Sequence, residues 1–587
     1  MNWVARTAAV LIAVQLVVRA VLAFRGYFYW DDLILTGRAG TQSLLSLAYL
    51  FDDHDGHVMP GAFLVAGGIT RLAPLNWIGP AISLVVLQLL ASLALLRALY
   101  VVLGWRPLLL LPLTFASFTP LGVPAFAWWA AALNSLPMLA AMAWVCADAV
   151  LLVRTGNQRY AVTGLLVYLG GLLFFEKAAV IPFVAFTVAA LYAHVTTSGT
   201  VVEVLRRGGR LWVSAMTLSA AWIVVYLVVV DQKRWSFDVA MTWDLLSRSV
   251  THGIVPGLVG GPWDWQRWAP ASPWATPPVA VMVVGWVALA VVVAISLVRK
   301  ERIGPVWLVA VGYAVACQIP IYLMRSSRFT ALELAQTLRY LPDLVVVLAL
   351  LLAVGFCAPN RQRSAWLDAS RTRTVLTVCT TTAFVASGLY STATFLVSWR
   401  ENPAQPYLQN ARAGLAAAHA ASDTPLLDQE VDPLVLQRVA WPENLASHMF
   451  ALLRDRPELA GATSQLRMLD VSGHVVDAKV TWVRSIVAGP AQQCGYLVQP
   501  DLPVSMRLDG PLLPADWTVE VNYLANSDGS MTMSLSEGTE TKVPVRPGLN
   551  RVFVRLPGAG DAIKVRANTA ALSVCVASGP VGFVAPR

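Results

Sequence analysis

The sequence predicts a polytopic all-α membrane domain followed by a smaller domain rich in β-strands. Three observations predict this fold class. Of the 587 residues, 57% are hydrophobic and only 13% are charged, and the mean hydropathy of +0.61 is far above that of a water-soluble domain. Apolar runs long enough to cross a bilayer recur through residues 1–400. After Glu401 these runs stop, and short alternating segments take their place.

Apolar runs of roughly 17 to 25 residues predict about eleven membrane-spanning helices. The first run lacks a small-residue cleavage site before Arg25, so we interpret it as a retained helix rather than a signal peptide. Two of the spans meet at Glu176-Lys177. The predicted spans are 6–24, 78–103, 107–122, 126–153, 160–175, 178–195, 211–230, 278–298, 305–324, 340–357 and 374–397.

Basic residues recur at every second junction between these spans, as the positive-inside rule expects of cytoplasmic loops. A cytoplasmic N-terminus and an odd number of spans then place residues 398–587 outside the cytoplasm. Residues 1–397 carry 27 Lys and Arg against 16 Asp and Glu, whereas residues 398–587 carry 16 against 18. The basic excess therefore belongs to the membrane part, where topology uses it, and it does not indicate nucleic-acid binding.

The tail after residue 400 is predicted to have two parts. Residues 401–485 read as an α/β segment, with helices near 408–421 and 444–454. Residues 486–587 show short alternating strands separated by turns, which predicts a β-sandwich of jelly-roll type. Cys494 and Cys575 are the two cysteines of the tail, and outside the cytoplasm they can form a disulfide. The alternative is two unrelated small core residues.

The acidic residues of the membrane domain lie mostly on one side. Of 16 Asp and Glu, 12 fall in or beside the predicted outer loops, although acids contribute little to orientation. A functional outer face explains this bias. The first outer loop carries the densest set: Asp31, Asp32, Asp52, Asp53, His54, Asp55 and His57. Such a set can deprotonate a hydroxyl acceptor, bind Mg²⁺ or Mn²⁺, or do both. A solvated loop with ordinary turn acids is the alternative.

Glu176 and Lys177 lie between two apolar spans. Ionisable groups at that depth are unfavourable unless they are paired or face a wet cavity, so we interpret this pair as a candidate part of a site. A self-paired turn at the membrane interface is the alternative.

Three arginines, Arg325, Arg328 and Arg339, lie in one predicted outer loop, where the positive-inside rule disfavours them. Guanidinium groups match phosphate oxygens bidentately, so the loop is a candidate phosphate site. Ion pairing with Glu333 or Asp343, or contact with lipid headgroups, is the alternative.

The predicted outer loop from 231 to 278 is rich in tryptophan, which stacks on sugars but also anchors loops at the membrane interface. Its tryptophans are Trp235, Trp243, Trp263, Trp265, Trp268 and Trp274. His252 in the same loop is more typical of a local structural residue. The sequence has no phosphate-binding P-loop, no Gly-x-Ser-x-Gly and no His-Glu-x-x-His, which argues against ATP hydrolysis, lipase and zinc-protease chemistry.

Taken together, these features resemble the GT-C superfamily of integral-membrane glycosyltransferases, which includes protein mannosyltransferases and mycobacterial arabinofuranosyltransferases. In that family an Asp-Glu or Asp-Asp just after the first helix supplies the catalytic carboxylate, and Asp31-Asp32 matches this position. The resemblance implies Asp31 as the base, with Asp32 as second choice. Arg339-Tyr340 is similar to an Arg-Tyr pair near the lipid phosphate. The His-Pro-Pro of many relatives is replaced by His57-Val-Met-Pro, which leaves the role of His57 open.

The resemblance implies an inverting transfer at the outer face of a bacterial plasma membrane. A polyprenyl-phosphate sugar enters from the lipid, Asp31 takes a proton from the acceptor hydroxyl, and the arginines hold the freed phosphate. The acceptor is a glycan, lipid or protein of the cell envelope, and a carbohydrate-binding-like tail accompanies the enzyme. Residues expected to line the acceptor side are Asp52, Asp53, His54, His57, Glu176 and Lys177. A divalent cation at Asp53, His54 and His57 is compatible with this chemistry but not required.

Two other classes of protein remain as alternatives. A transporter or flippase of lipid-linked saccharides predicts inverted repeats and charges near the bilayer midplane, neither of which is visible in the sequence. A non-catalytic scaffold of the cell envelope predicts that the acidic loop is dispensable. Loss or retention of sugar transfer on changing Asp31 separates the enzyme from both.

Overall fold

The structure is a computed structural model that describes residues 2–231, 238–361, 370–500 and 502–587, so Trp235 lies outside the described residues. The chain forms two compact units. The first contains Met1–Leu35 and Gln42–Asn402, and the second contains Thr36–Thr41 and Pro403–Arg587. The first unit is helical and the second is rich in β-strands, which confirms the predicted fold class.

The first unit contains nineteen described helices, of which α2 ends in the second unit. Up to Thr197 they are α1 (Trp3–Phe24), α2 (Asp31–Thr41), α3 (Leu47–Leu50), α4 (Pro60–Leu72), α5 (Ile78–Leu103), α6 (Leu110–Phe118), α7 (Val123–Ala127), α8 (Trp129–Thr155), α9 (Arg159–Phe174) and α10 (Ile181–Thr197). From Val201 onward they are α11 (Val201–Val229), α12 (Val239–Arg248), α13 (Val255–Leu258), α14 (Val279–Arg299), α15 (Gly304–Ala316), α16 (Ile319–Arg325), α17 (Glu333–Gln336), α18 (Pro342–Cys357) and α19 (Ser370–Arg400).

Short irregular segments join several of these helices. Three 3₁₀ turns, Pro107–Leu109, Pro120–Gly122 and Glu176–Val180, precede α6, α7 and α10, and a π-helical turn, Ser249–Ile254, separates α12 from α13. Two short strands, β1 (Trp265–Gln266) and β2 (Trp274–Ala275), pair antiparallel in the loop before α14.

The apolar helices correspond to the predicted spans. Among the described residues, eight helices are long and apolar enough to cross a membrane, and a bent pair, Pro107–Phe118 with Pro120–Ala127, makes a ninth candidate with a 45° bend. The two remaining apolar helices, α9 and α18, are shorter. Each of the eleven predicted spans matches one of these segments. Which side of the membrane each loop faces stays a prediction.

Helix α8 is the central helix of the first unit. Within its most apolar window 78% of the residues are buried, against 11% for α14 and for α19, whose exposed faces are apolar and suited to lipid. The N-terminus of α8 follows directly on α7, the second half of the bent segment. This central position makes the start of α8 a fixed point on which neighbouring loops can be anchored.

The tail contains two helices, α20 (Ala404–Ala421) and α21 (Ala446–Met449). The first matches the predicted helix near 408–421, whereas the second is a single turn inside the predicted 444–454. The strands are β3 (Leu426–Leu427), β4 (Leu459–Ala460), β5 (Ala462–Thr463), β6 (Arg467–Leu469), β7 (Val475–Val480), β8 (Arg484–Ser485), β9 (Tyr496–Val498), β10 (Val504–Ala525), β11 (Gly529–Gly538), β12 (Thr541–Val545), β13 (Gly548–Ala567), β14 (Val574–Val576), β15 (Pro580–Gly582) and β16 (Val584–Pro586).

The strands of the tail join the two predicted segments into one unit. In the described part of the tail, nine strands form one antiparallel network with the path β12-β11-β13-β10-β14-β9, to which β5, β8 and β15 are attached. The long strands β10 and β13 shift register twice between Arg507 and Ala515. Such irregularities bend strands, so the same strands can serve more than one face of the core. One bent network therefore takes the place of the two packed sheets expected of a β-sandwich of jelly-roll type.

The core of the tail is formed by inward-facing apolar residues such as Val519, Val521 and Ile563, which are completely buried. Cys494, just before β9, and Cys575, in β14, form a disulfide across the pair of strands at the edge of this network, with their Cα atoms 4.8 Å apart.

Candidate functional site

The site begins at the turn between α1 and α2, where Asp32 is completely buried. Its Oδ2 accepts a hydrogen bond from the backbone N–H of Tyr29 at 2.9 Å, and its Oδ1 accepts one from the N–H of Ala130 at 2.8 Å. Ala130 lies in the first turn of α8, where N–H groups lack helical acceptors and the helix dipole favours negative charge. Asp32 therefore fastens α2 to the central helix.

Asp31 has a different environment from its neighbour. Its side chain keeps 27% of its exposed area, and its Oδ1 lies 3.9 Å from Nε2 of His54. The preceding residue, Trp30, has a positive φ of 45°, a conformation that bulky side chains rarely adopt and that occurs often at functional sites. The carboxylate of Asp31 is thus accessible, whereas the adjacent carboxylate of Asp32 is buried and fixed by hydrogen bonds.

The charges around Asp31 tune its acidity. Burial raises its pKa, the Arg339 guanidinium opposes that rise, Asp55 adds to it and Arg325 opposes it, which leaves a pKa of about 6. For Asp32, burial raises the pKa well above its usual range, although its backbone hydrogen bonds act in the opposite direction. A carboxyl group with a pKa near 6 is suited to general-base work near neutral pH.

A tight turn presents the two histidines of the first loop. The N–H of His54 donates to the carbonyl of His57 at 3.2 Å and the reverse bond measures 3.0 Å, while Asp55 and Gly56 between them both have positive φ. Nδ1 of His57 lies 2.7 Å from Oε1 of Glu176. Burial lowers the pKa of His57, but the facing carboxylate raises it more, so the net shift is upward. The pair fixes the end of the first loop to the turn before α10.

Two of the three predicted phosphate-binding arginines lie beside the first loop. Arg325 donates from Nη2 to Oδ2 of Asp55 at 3.0 Å. Arg339 donates to the hydroxyl of Tyr340 at 2.7 Å, and its guanidinium lies over the rings of Trp128 at 5.0 Å and of Tyr340 at 4.9 Å. The structure therefore brings Arg325, Arg339 and Tyr340 together with the acidic loop, although they are far apart in the sequence.

Arg328 is placed differently from the other two arginines. Its side chain is exposed, and its guanidinium lies over the ring of Phe329, which is also exposed. Its described stacking contact is thus with a neighbour in its own loop rather than with the acidic loop.

Glu176 and Lys177 pair with distant residues rather than with each other. Lys177 Nζ donates to Oδ1 of Asp343 at 2.8 Å and to the carbonyl of Tyr340 at 3.2 Å. Asp343 is completely buried, and its Oδ2 accepts a hydrogen bond from the Tyr313 hydroxyl at 2.7 Å. The self-paired turn is therefore not what the structure contains. Asp343 was predicted as an alternative partner of the arginines, but it pairs with Lys177.

The side chain of Asp53 stabilises the turn of the first loop. Its Oδ1 accepts the N–H of Gly56 at 2.8 Å and its Oδ2 accepts the N–H of Asp231 at 3.1 Å. Asp52 beside it is partly buried. Asp53 is therefore a backbone-bonded turn carboxylate of the kind that shapes a loop.

The predicted metal ligands do not form a shared centre. Within the described ranges, no three His, Cys, Asp or Glu side chains lie together as a group that can hold a metal ion. Asp53 is engaged by backbone N–H groups and His57 by Glu176, so with His54 they make no common set. Cation binding by the acidic loop stays a prediction, and turnover measured in chelator and with added Mg²⁺ or Mn²⁺ tests it.

The described tryptophans of the predicted outer loop divide into two groups. Trp243, Trp263 and Trp268 are exposed, whereas Trp265 and Trp274 are buried, and Trp265 donates to the carbonyl of Ser391 in α19. They therefore do not form one continuous sugar platform. His252 is held locally, with Nε2 2.9 Å from Arg248 and Nδ1 2.8 Å from Thr251.

Aromatic residues outside the predicted set pack around the site. Tyr29 packs edge-on against Trp128 at 4.9 Å and against Trp399 at 5.3 Å between ring centroids. Trp128 carries Arg339 on its ring and lies at the bend between α7 and α8. The adjacent pair Trp128-Trp129 at the start of the predicted span 126–153 was the available signal for this position.

No family model matches the sequence, and no curated protein matches it. Solved structures do match. The chain is similar to a crystal structure of ArnT from Cupriavidus metallidurans bound to undecaprenyl phosphate, with 13% identity, a TM-score of 0.43, and coverage of 77% of this chain and 85% of that chain. The apo state of the same protein gives 14% identity, a TM-score of 0.42 and coverage of 78% and 86%. A cryo-EM structure of the arabinofuranosyltransferase AftD from mycobacteria gives 12% identity, a TM-score of 0.35 and coverage of 99% and 62%.

Proposed function

We propose that this chain is a membrane glycosyltransferase that transfers a sugar from a polyprenyl-phosphate donor to a hydroxyl group of an extracytoplasmic glycan, lipid or protein. The observation that carries the proposal is the position of Asp31. This reachable carboxylate lies within electrostatic range of Arg339 and Arg325, which come from a loop late in the unit. An in-line displacement at an anomeric carbon needs a base and a phosphate-binding group brought together in this way.

The proposed step is a single displacement. Asp31 accepts the proton of the acceptor hydroxyl as the acceptor oxygen forms a bond to the anomeric carbon. The bond from that carbon to the phosphate oxygen breaks, and its electron pair leaves with the phosphate. Arg339 and Arg325 stabilise the negative charge that develops on the leaving phosphate. Asp32 takes no proton in this step and positions Asp31 through its bonds to Tyr29 and Ala130.

The positions of these two arginines support a lipid-linked donor. Arg325 is the last residue of an apolar helix, and Arg339 precedes the apolar helix α18, so both guanidinium groups stand at the ends of spans. A phosphate attached to an apolar chain can reach such a position from the bilayer. The resemblance of Asp31-Asp32 and Arg339-Tyr340 to the GT-C pattern supports the same class of donor.

The test is the change Asp31→Asn in the full-length protein reconstituted with a polyprenyl-phosphate sugar. Loss of a general base lowers turnover by about 100-fold to 10,000-fold. Asp244→Asn is the matched control, since Asp244 is an exposed carboxylate on α12. Release of free polyprenyl phosphate is the readout, because a transporter moves the donor intact and a scaffold does not consume it. Unaltered release by a well-folded Asp31→Asn variant overturns the proposal.

A further inference from the structure

Arg19 carries a charge into the interior of a membrane-spanning helix, and the proposed transfer does not use it. It lies on α1, five residues before the helix ends at Phe24, and is only 5% exposed. At 1.5 Å per residue, Arg19 lies roughly 8 Å from that helix end. Guanidinium is not deprotonated in proteins, so the first unit holds a permanent cation inside its spans.

Within the described residues, Arg19 has no hydrogen-bond acceptor and no charged partner. Nη1 is buried without an acceptor, and the described contact of the guanidinium is the ring of Phe126, whose centroid lies 4.9 Å from Cζ. Arg97 offers a comparison within the same unit. It also stacks on an aromatic ring, that of Trp144, but it is paired with the buried carboxylate of Asp148. An uncompensated buried charge is strongly unfavourable, so Arg19 calls for an anion that the described residues do not supply.

The helices and the turn beside Arg19 carry several buried polar side chains. Gly122 closes the 3₁₀ turn that breaks the α6–α7 segment, and a Cβ added to it would lie 3.9 Å from Nη2 of Arg19. Helix α6 packs against α1 and carries two buried hydroxyl groups, those of Thr114 and Ser117. Gln15, one turn earlier on the same face of α1, is buried and polar as well. Polar side chains on α1 and α6 are thus buried in the same part of the unit as the guanidinium.

The same segment that contacts Arg19 also contacts the proposed catalytic site. Phe126 lies under Arg19, and Trp128, two residues later, lies under Arg339. The two guanidinium groups therefore lie over aromatic rings that are only two residues apart in the chain. A ligand group bound at Arg19 would lie close to the site but on the membrane side of it, because α1 runs from Arg19 toward the turn that holds Asp31.

We propose that Arg19, with the break at Pro120–Gly122, binds the phosphate group of a second lipid, separate from the phosphate held by Arg325 and Arg339. Guanidinium matches phosphate oxygens bidentately, and an anion reaches the interior of a span most readily when it brings its own apolar chain. This inference rests on the proposed function for the nature of the lipid. The released polyprenyl phosphate and an anionic phospholipid share the required chemistry.

The experiment counts bound phosphate lipids per protein. Full-length protein in nanodiscs of phosphatidylcholine is titrated with polyprenyl phosphate, and stoichiometry is measured by native mass spectrometry. The wild type is expected to bind two equivalents and Arg19→Gln one. Because a hydrogen bond to a charged group contributes about 1.5–3 kcal/mol, the second equivalent should bind about 10-fold to 100-fold more weakly in Arg19→Gln. Arg19→Lys should keep much of this binding, and Arg25→Gln, at the exposed end of the same helix, should keep both equivalents.

Parallel titrations identify the source of the phosphate. If phosphatidylglycerol fills the Arg19-dependent equivalent and polyprenyl phosphate does not, the second lipid is a phospholipid; the reverse result assigns it to the carrier. If inorganic phosphate fills it equally well, the lipid part of the proposal is wrong. If neither lipid adds an Arg19-dependent equivalent to the wild type, or if Arg19→Gln keeps that equivalent with unchanged affinity, the proposal is overturned.

Two controls separate this inference from a structural role and from the proposed function. Removing an uncompensated buried charge should raise the melting temperature of lipid-free Arg19→Gln, and added lipid should stabilise the wild type more than the variant. A variant that is less stable but binds both lipids shows that Arg19 is only structural. Asp31→Asn should lose turnover and keep both equivalents, so failure of the transfer proposal leaves the lipid count intact.

Discussion

Asp31 and Asp32 are identical in type and adjacent in the chain, yet their surroundings give them different chemistry. Asp32 uses both carboxylate oxygens to bind backbone N–H groups, one of them at the start of α8, and is completely buried. Asp31 points instead toward His54 and keeps part of its surface. The family resemblance ranked Asp31 before Asp32 as the base. The sequence could not show what holds Asp32, because Ala130 lies 98 positions away.

The raised pKa of Asp31 predicts a pH dependence of sugar transfer. A base acts in its deprotonated form, so kcat/KM should fall about tenfold per pH unit as the pH drops below about 6, and should be flat above it. Arg339 lowers the pKa of Asp31, so Arg339→Gln should move this acidic limb to higher pH. Arg328→Gln, in the same loop but exposed, should leave the limb where it is. A pH–rate profile with no acidic limb, or a limb unmoved in Arg339→Gln, contradicts the assignment.

At the scale of elements, the 3₁₀ turn Glu176–Val180 joins two loops that are distant in the chain. Glu176 holds the first loop through His57, and Lys177 holds the later loop through Asp343 and the carbonyl of Tyr340. The sequence indicated that charges between two spans are unfavourable unless they are paired or face a wet cavity, and in the structure both side chains are paired. It could not predict the partners, because they lie 119 and 166 positions away and are chosen by helix packing.

The Lys177–Asp343 ion pair predicts how single and double substitutions of these residues change the stability of the protein. Lys177→Met leaves the fully buried Asp343 carboxylate without its cation and should destabilise the protein by about 3–5 kcal/mol. Lys177→Met combined with Asp343→Asn should recover part of this loss, because no buried charge remains unpaired. Thermal unfolding of the two single variants and the double variant in detergent measures the coupling. Losses that simply add would show that the pair does not interact energetically.

At the scale of the whole molecule, the membrane unit was more predictable than the tail. The hydrophobicity of an apolar run is a local property, so a span can be predicted without knowing what it packs against. All eleven predicted spans accordingly have a counterpart in the structure. Strand pairing depends on partners that are distant in sequence, so the alternating pattern predicted strands but not the single network that joins β5 and β8 to the later strands. The sequence shows Arg19 as a charge within the first apolar run, but only the structure shows that it has no partner among the described residues.

The Cys494–Cys575 disulfide closes a sequence separation of 81 residues in the tail. By the loop-entropy model, opening a loop of that length should destabilise the tail by about 4 kcal/mol. Cys575→Ser, or a reductant, should therefore lower the melting temperature of the tail and expose it to protease. Cys379→Ser is the control, since that cysteine is free and exposed. Equal protease resistance with and without reductant would show that the bond contributes little.

Helix α2 has a consequence for anyone who wishes to work with the tail by itself. Its residues Thr36–Thr41 belong to the second unit, where Arg38 pairs with Glu443 at 3.2 Å and a Cβ on Gly40 would lie 2.8 Å from that of Ala451. A fragment cut at Pro403 would leave this hexapeptide behind and uncover the surface it packs on. Screening such a fragment for glycan binding calls for the hexapeptide to be added back, either through a flexible linker or as a free synthetic peptide.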